Sequence, residues 1–243
     1  MLEGIGSGGP VIPSFGSTSK CVLNNNLFCT SWFTSNWHKT FQPALIQHIE
    51  LVAIAVGIGF AISFVLALVA HSHHKMAAPV TLLGSLLYTV PSLTAFEILV
   101  PITGITWTTA EIALIAYTIL ILFTNTLAGL SAVSPEVRDA AEGMGLTEAQ
   151  IILRVDLPLA LPTIIAGLRI ATVSTVSLAT VASYVVHSGL GVPIFNTLNN
   201  GVFKTTLIGA GGLAILLALF ADAFLVVIER LITPWARARS MAR

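Results

Sequence analysis

The sequence predicts an all-α integral membrane protein with about five transmembrane helices. Of its 243 residues, 55% are hydrophobic and only 9% are charged, and the apolar residues lie in long uninterrupted runs. A soluble domain carries about 25% charged residues, so this chain has too few charges to cover a soluble surface. The strands of a membrane β-barrel are about ten residues long and alternate in polarity. The apolar runs of this chain are longer and do not alternate, which excludes a β-barrel.

The charge balance excludes two further classes of protein. Eleven Lys and Arg residues balance eleven Asp and Glu residues. A nucleic-acid-binding protein needs a basic surplus to neutralise phosphates, and no such surplus is present. A disordered chain needs few apolar residues and a high net charge, which is the opposite of this composition.

Five stretches have the length needed to cross a bilayer, about 20 mostly apolar residues. We predict transmembrane helices at about 44–70, 79–100, 110–131, 163–186 and 206–232. The uncharged run that contains the fourth span continues to Phe203, but Gly189, Gly191 and Pro193 predict a break in it.

The basic residues predict the orientation, because Lys and Arg are enriched on the cytoplasmic side. A cytoplasmic loop between the third and fourth spans places seven basic residues inside, namely Lys75, Arg138, Arg154, Arg230, Arg237, Arg239 and Arg243. Three remain outside: Lys20, Lys39 and Lys204. This predicts an extracytoplasmic segment at 1–43 and a basic cytoplasmic tail at 233–243. Cys21 and Cys29 then lie outside, either as a disulfide or as two separate thiols.

The loop 134–162 reads SPEVRDAAEGMGLTEAQIILRVDLPLALP. Ser134 and Pro135 are typical of a helix start, and Gly145 is expected to end this first helix in the left-handed conformation. A second short helix is expected from Thr147 to about Val155, with Pro158 and Pro162 limiting further helix. Apolar side chains near the turn, such as Met144, favour burial by a partner protein.

This loop resembles the EAA loop of ABC importer permeases. Asp139-Ala140-Ala141 is followed by three residues, Gly145, nine residues and Val155-Asp156-Leu157-Pro158, which is the spacing of that motif. Asp and Val replace the usual Glu and Ile. The resemblance implies that the loop docks on an ATP-binding subunit. The residues expected to make this contact are Asp139, Ala140, Ala141, Gly143, Met144, Gly145, Leu146, Leu157 and Pro158.

The sequence contains no G-x-x-x-x-G-K-[ST] phosphate-binding loop. We therefore expect that a separate subunit binds and hydrolyses ATP. We also expect that the chain is not an enzyme and that it has no catalytic, cofactor or metal site.

Further segments are similar to permeases of the osmoprotectant uptake family. These segments are Tyr88–Phe96, Gly143–Gly145, Leu157–Pro162, Ile164–Thr172, Gly189–Gly191 and Glu229–Pro234. The resemblance covers about 44–235 and implies the type I ABC importer permease (MetI-like) fold over 44–232. It also implies import of glycine betaine, choline, carnitine or proline, delivered by an extracytoplasmic binding protein.

The implied partners are two ATPase subunits and a second permease subunit, either a copy of this chain or a relative. The implied location is the inner or plasma membrane of a prokaryotic cell, with the chain embedded in the lipid bilayer as a multi-pass protein.

An ABC permease for another small solute such as methionine is the first alternative function. An ion-gradient-driven transporter is less favoured, because such carriers commonly have more spans and internal repeats. A membrane-embedded enzyme ranks last, because its motifs are absent from the sequence.

Two groups of residues are candidates for lining a pathway through the membrane. The first surrounds the proline of the second span and comprises Tyr88, Thr89, Pro91, Ser92 and Thr94. The second is a polar stripe on the fourth span and comprises Ser174, Ser177, Thr180 and Tyr184. Irregular backbone at membrane depth can line a wet cavity, but it can also be a passive kink. Hydroxyl groups likewise can face a pathway or join helices.

Charged residues inside spans are usually paired or functional. Arg169 and Asp222 are the candidates for such a pair, although the sequence does not show that they meet. His71, His73 and His74 are expected in a solvated inner loop.

Overall fold

A computed structural model describes residues 19–235, which contain helices joined by short turns and bends and no strand. The predictions for 1–18 and for the tail beyond 235, including Arg237, Arg239 and Arg243, lie outside the described residues. The α-helices, in chain order, are α1 Lys20–Leu23, α2 Thr30–Ser35, α3 Gln42–Ser72, α4 Ala77–Thr89, α5 Ser92–Thr103, α6 Trp107–Ser131, α7 Pro135–Gly143, α8 Glu148–Ile151, α9 Leu157–Val186, α10 Gly191–Asn200 and α11 Lys204–Ile232.

Four described helical segments are each long and apolar enough to cross a membrane alone. They contain α3, α6, α9 and α11 and coincide with the first, third, fourth and fifth predicted spans. The fourth span ends at Val186, and His187 adopts the left-handed conformation before α10 begins. The predicted break after that span is therefore confirmed.

The second predicted span, 79–100, is interrupted at its proline. It consists of the pair α4 and α5, whose axes differ by 94° across Val90 and Pro91. A residue before proline is disfavoured in the helical region, and Val90 accordingly has an extended backbone with ψ of 127°. Pro91 also has no amide hydrogen to continue the helix. Counted as one broken span, the pair brings the crossings within residues 19–235 to five, whereas as a re-entrant loop it leaves four.

The helices α3, α6 and α9 form the centre of the fold, with α11 against α9. Their main core includes Leu51, Leu114 and Ala179, together with Phe96 from α5. Gly167 permits one close approach, because a Cβ atom there would lie 2.4 Å from Cβ of Asn125 on α6. Apolar lipid gives no hydrophobic force that drives membrane helices together, so their association depends on close packing. Small residues permit this close packing.

The helix after the EAA-like loop begins earlier than predicted. A π-helical turn, Ile152–Asp156, connects α8 directly to α9. Pro158 lies in the first turn of α9, a position where proline is tolerated because the first amides lack intrahelical partners. Pro162 lies inside the helix without ending it. The expectation that these prolines limit the helix is therefore wrong.

The segment before the first span folds onto the start of α11. Cys21 and Cys29 form a disulfide, which settles the alternative that the sequence left open. Val22 and Cys29 pack with Phe203, and the Asn25 amide donates a hydrogen bond of 2.7 Å to the Val202 carbonyl. These contacts join the segment before the first span to the start of the last one.

Arg169 and Asp222 do meet. Nε of Arg169 lies 2.7 Å from Oδ1 of Asp222, and Nη2 lies 3.1 Å from Oδ2. Glu229 adds a carboxylate oxygen 3.5 Å from Nη1. This two-pronged pair joins α9 to α11 and confirms that the two charges pair structurally.

Candidate functional site

A cleft lies where the second span breaks. This break cleft has a volume of about 390 Å³. It is lined by Tyr88, Thr89, Val90, Pro91, Ser92, Tyr117, Ser174, Ser177 and Leu178. The fold thus brings the residues around Pro91 together with the first half of the polar stripe on α9. The sequence predicted both groups separately but not their contact with one cleft.

The irregular backbone at the break has identified hydrogen-bond partners. The Tyr117 hydroxyl of α6 donates to the Val90 carbonyl. The carbonyl of Leu87 cannot bond to residue 91, because proline has no amide hydrogen, and it accepts the Val90 amide at 3.3 Å. The break is therefore held by a neighbouring hydroxyl, as in a passive kink, and it also borders the cleft.

Tyr117 is a member of the cleft that the sequence analysis did not identify. Its ring packs edge-on against Tyr88, with centroids 5.5 Å apart and planes at 70°. In the sequence Tyr117 is one aromatic residue within an apolar span, and only the packing of α6 against α4 shows its position. Two aromatic faces and several hydroxyl groups make this a cleft suited to a small polar solute with an organic cation.

Three predicted pathway residues lie elsewhere. Thr180 donates to the Val176 carbonyl of its own helix at 3.1 Å. Tyr184 lines a different cavity near the end of α9, and Thr94 is exposed on α5. The polar stripe of α9 is thus divided between two cavities, and Thr94 lies outside the break cleft.

The EAA-like loop has the turn that its sequence predicts. The first helix, α7, ends at Gly143, and Gly145 has a φ of +83°. The Thr147 side chain accepts from the backbone of residue 150, and the Gln150 side chain accepts the Thr147 amide at 2.9 Å, so that the two form a capping box. The left-handed glycine and the second helix start are therefore confirmed.

The predicted docking residues differ in exposure. Met144 is 73% exposed, and Asp139, Ala140, Gly143 and Gly145 are also exposed. Those residues are available to a partner. Leu146, Leu157 and Pro158 are half-buried.

Ala141 is only 2% exposed, so it packs the loop against its own chain rather than offering a surface. Leu157 packs against the cluster of Leu130, Ala160 and Ile164 and anchors the start of α9. These two predicted docking residues therefore contribute to the internal packing of the permease-like chain.

A buried polar cluster attaches this loop to the first span. Nε2 of His71, at the end of α3, lies 3.1 Å from Oδ2 of Asp156 and 3.0 Å from Nη1 of Arg138. Arg138 lies on α7 and is itself 3.3 Å from Oδ2 of Asp156. Asp156 is fully buried and His71 is 6% exposed, so the prediction of a solvated inner loop is wrong for His71.

The cluster was missed because its members lie far apart in sequence and each has an ordinary local explanation. A signal was nevertheless present, since Asp156 places a charge between Val155 and Leu157, next to an apolar span. Among residues 19–235, no group of three or more His, Cys, Asp and Glu side chains is placed to hold a metal ion.

The first turn of α7 carries an exposed acid. Two hydrogen bonds lower the pKa of the Glu136 carboxyl below its usual range. The larger effect comes from the Glu136 backbone amide and the smaller one from the Ser134 hydroxyl. A carboxylate at a helix N-terminus is stabilised by the unpaired amides there. Ser134 is thus the N-cap residue of α7, but its hydroxyl bonds to the Glu136 side chain rather than capping the helix.

Comparison with known proteins identifies the chain. Residues 53–234 match the family described as "Binding-protein-dependent transport system inner membrane component". The chain belongs to this family. It is a multi-pass membrane permease of the osmoprotectant ABC importer group, as the loop and span motifs predicted.

Two relatives come from Bacillus subtilis (strain 168). The choline transport system permease protein OpuBB is 33% identical over 189 residues, which are 77% of this chain and 86% of OpuBB. The glycine betaine/carnitine/choline transport system permease protein OpuCB is 32% identical over 189 residues, again 77% of this chain and 86% of that protein.

A solved structure supports the predicted fold. A chain of the MetNI methionine ABC transporter in an inward-facing conformation superposes with a TM-score of 0.72. The match covers 78% of the chain described here and 94% of the MetNI chain, at 18% sequence identity. At this identity the comparison establishes the type I importer permease fold alone.

Proposed function

We propose that this permease moves small osmoprotectants with a trimethylammonium group, such as glycine betaine, choline and carnitine, through the break cleft. The observation that carries the proposal is the convergence of Tyr88, Tyr117, Ser174 and Ser177 on one cleft at the broken span. The names of the two Bacillus relatives support the same substrate class.

The chemistry of the cleft fits such a solute. A quaternary ammonium group cannot donate a hydrogen bond and is held over aromatic faces, each contributing about 0.5–2 kcal/mol. Tyr88, which is 46% exposed, presents such a face without a fixed charge, and the buried ring of Tyr117 packs edge-on with it. The hydroxyls of Ser174 and Ser177 can bond the carboxylate of a betaine or the hydroxyl of choline. A weak, uncharged site suits a pathway, because the solute must leave it again.

The permease works as part of a larger complex in this proposal. Two permease subunits surround the pathway, two separate ATPase subunits bind ATP, and an extracytoplasmic binding protein delivers the solute. The second permease is either a copy of this chain or a relative. Five crossings place the N-terminus outside and the C-terminus in the cytoplasm, in agreement with the basic residues.

The EAA-like loop transmits the ATPase motion. Exposed Met144 and the turn at Gly145 form the contact with the ATPase subunit. The cluster of His71, Arg138 and Asp156 then passes a displacement of α7 to the end of α3 and to the start of α9. Nε2 of His71 either donates to Asp156 or accepts from Arg138, and Arg138 also pairs with Asp156, so the three packed side chains move together more readily than a solvated loop does.

Reconstitution tests this function. The permease, its ATPase and its binding protein are placed in proteoliposomes, and uptake of labelled glycine betaine, choline, carnitine and proline is measured, with methionine as the comparison. We expect ATP-driven uptake of at least one trimethylammonium compound that persists when ion gradients are collapsed. Preferential uptake of methionine, or uptake that depends on an ion gradient, would refute the proposal.

A matched pair of variants connects uptake to the cleft. Ser177→Ala and Ser177→Leu differ only in the volume that replaces the hydroxyl. We expect the alanine variant to retain most uptake and the leucine variant to lose it, because leucine fills a narrow cleft. Equal uptake by both variants would place the pathway elsewhere.

A further inference from the structure

A second cavity lies beside the helix α10. This α10 cavity has a volume of about 380 Å³. It is lined by Glu97, Val100, Ile105, Ser183, Tyr184, Val185, His187, Val192, Phe195, Asn196 and Asn199. It is built from α5, the end of α9 and the face of α10 that follows the left-handed turn at His187. None of the comparisons assigns a role to these residues.

The lining has the chemistry of a site for an organic cation. Glu97 is the single acid among the described lining residues, and no Lys or Arg occurs among them. The rings of Tyr184 and Phe195 meet edge-on with centroids 5.1 Å apart and planes at 67°. A carboxylate beside aromatic faces holds a quaternary ammonium group by charge and by the ring quadrupoles.

The same lining has groups for the other end of a zwitterion. The side-chain amides of Asn196 and Asn199 and the ring of His187 supply N–H donors, which a carboxylate accepts. A betaine would thus have a partner for each of its ends, and choline would use the cation site and one polar group for its hydroxyl.

The α10 cavity and the break cleft lie along the same two helices. On α9, Ser177 lines the break cleft and Tyr184 lines the α10 cavity, seven residues further on and about 10 Å away along the axis. On α5, Ser92 lines the first and Glu97 the second. The two cavities therefore follow one another, and the break cleft has no carboxylate among its described lining residues.

We propose that the α10 cavity is an acceptor site on the permease for the trimethylammonium group of the solute, with Glu97 as its counter-ion and Tyr184 and Phe195 as its aromatic faces. This inference rests on the proposed function and adds a charged step before the uncharged cleft. The cation is first held by charge next to α10 and then passes along the polar face of α9.

Direct binding tests the site without the binding protein. The detergent-solubilised permease–ATPase complex is incubated with labelled choline or glycine betaine, and tetramethylammonium serves as the competitor. We expect saturable binding that tetramethylammonium displaces. Glu97→Gln and Tyr184→Leu should weaken it at least about tenfold, whereas Tyr184→Phe should bind nearly as the native protein, since the ring is retained.

A matched acid provides the control. Glu50→Gln removes an exposed carboxylate from α3 without touching the cavity, so binding should stay unchanged. Loss of binding in Glu50→Gln equal to that in Glu97→Gln would show a general charge effect and overturn the assignment. ATPase activity and elution on size-exclusion chromatography confirm that each variant complex is assembled.

Accessibility separates a solute site from a surface covered by another subunit. A cysteine at Asn199→Cys should react with a maleimide in the assembled complex, and choline should slow the reaction. A cysteine that reacts in the isolated permease but not in the complex would show that a neighbouring subunit fills the cavity, which overturns the proposal.

The two proposals fail in different ways. A complex that transports no trimethylammonium compound refutes the proposed function. A complex that transports choline or glycine betaine, while Glu97→Gln and Tyr184→Leu bind as the native protein, refutes only the acceptor site.

Discussion

Single side chains decide how the loop 134–162 is attached to the membrane helices. Asp156 is fully buried, and one of its oxygens lies near both His71 and Arg138. Within residues 19–235 its other oxygen has no hydrogen-bond partner, nor does Nδ1 of His71. A buried charge of this kind is costly alone and persists because its partners are fixed around it.

Asp156→Asn should loosen this attachment. Removing one partner of a buried pair costs up to about 3–5 kcal/mol, and we expect less here because part of Arg138 reaches solvent and is screened. Thermal unfolding of the purified complex should shift to lower temperature, and uptake per ATP hydrolysed should fall. Glu148→Gln, an exposed acid of the same loop, is the control. An Asp156→Asn complex with native stability and coupling would contradict the role of the cluster.

Tyr117→Phe isolates one hydroxyl at the break. The variant keeps the ring in the cleft but leaves the Val90 carbonyl without its donor. A fully buried acceptor left unpaired costs about 1–3 kcal/mol; Val90 is half-buried, so we expect a smaller drop in the thermal stability of the permease. Tyr88→Phe keeps the other ring and loses an exposed hydroxyl, and it should unfold at the native temperature. Equal melting temperatures for the two variants would show that the hydroxyl bond does not hold the break.

At the scale of elements, a few backbone turns set the directions of whole helices. The extended Val90 turns α5 by 94° from α4, and the left-handed Gly145 separates α7 from α8. Both turns lie beside the regions assigned to function. Changing either turn should alter transport more than it alters insertion, because apolar length determines insertion.

Gly145→Pro should uncouple the loop from the ATPase. Proline has a φ near −65° and cannot adopt the +83° found here, so the angle between α7 and α8 would change. We expect the ATPase subunit to dissociate during purification, or substrate-stimulated ATP hydrolysis to be lost, while the spans stay inserted.

Glu148→Pro is a matched control for that change. Residue 148 is the first residue of α8, where proline is favoured, and Thr147 before it is already extended with ψ of 158°. This variant should retain the ATPase and transport normally. Thr147→Ala would be a poorer control, because it removes the hydroxyl of the capping box. Transport at the native rate by Gly145→Pro would show that the loop is only a connector.

At the scale of the whole molecule, the arrangement of the spans determines which side each site faces. The loop with Met144 and the helix with Asn200 lie at opposite ends of α9. The proposed orientation places Met144 in the cytoplasm and Asn200 outside. The native cysteines form a disulfide and leave no described free thiol to interfere.

Cysteine labelling in intact cells measures this orientation. Asn200→Cys should react with a membrane-impermeant thiol reagent, whereas Met144→Cys should react only after the cells are permeabilised. The cells express the permease without its ATPase subunit, so that both positions are exposed and lack of reaction reports the side of the membrane rather than burial. The reverse pattern would invert the proposed topology and remove the basis for docking of the loop on the ATPase.

The sequence by itself determined the class of protein, the apolar stretches, the turn at Gly145 and the family. These features depend on residues that are neighbours along the chain: apolar length sets a span, and the glycine and capping residues set a turn. Only the tertiary structure decided the 94° angle of the bend at Pro91, the uninterrupted start of α9, the disulfide and the two cavities. The contact of His71 with Asp156 joins residues 85 positions apart, and that of Tyr117 with Val90 joins residues 27 apart. Such contacts depend on which helix faces pack together, and every span offers several apolar faces that the sequence alone does not distinguish.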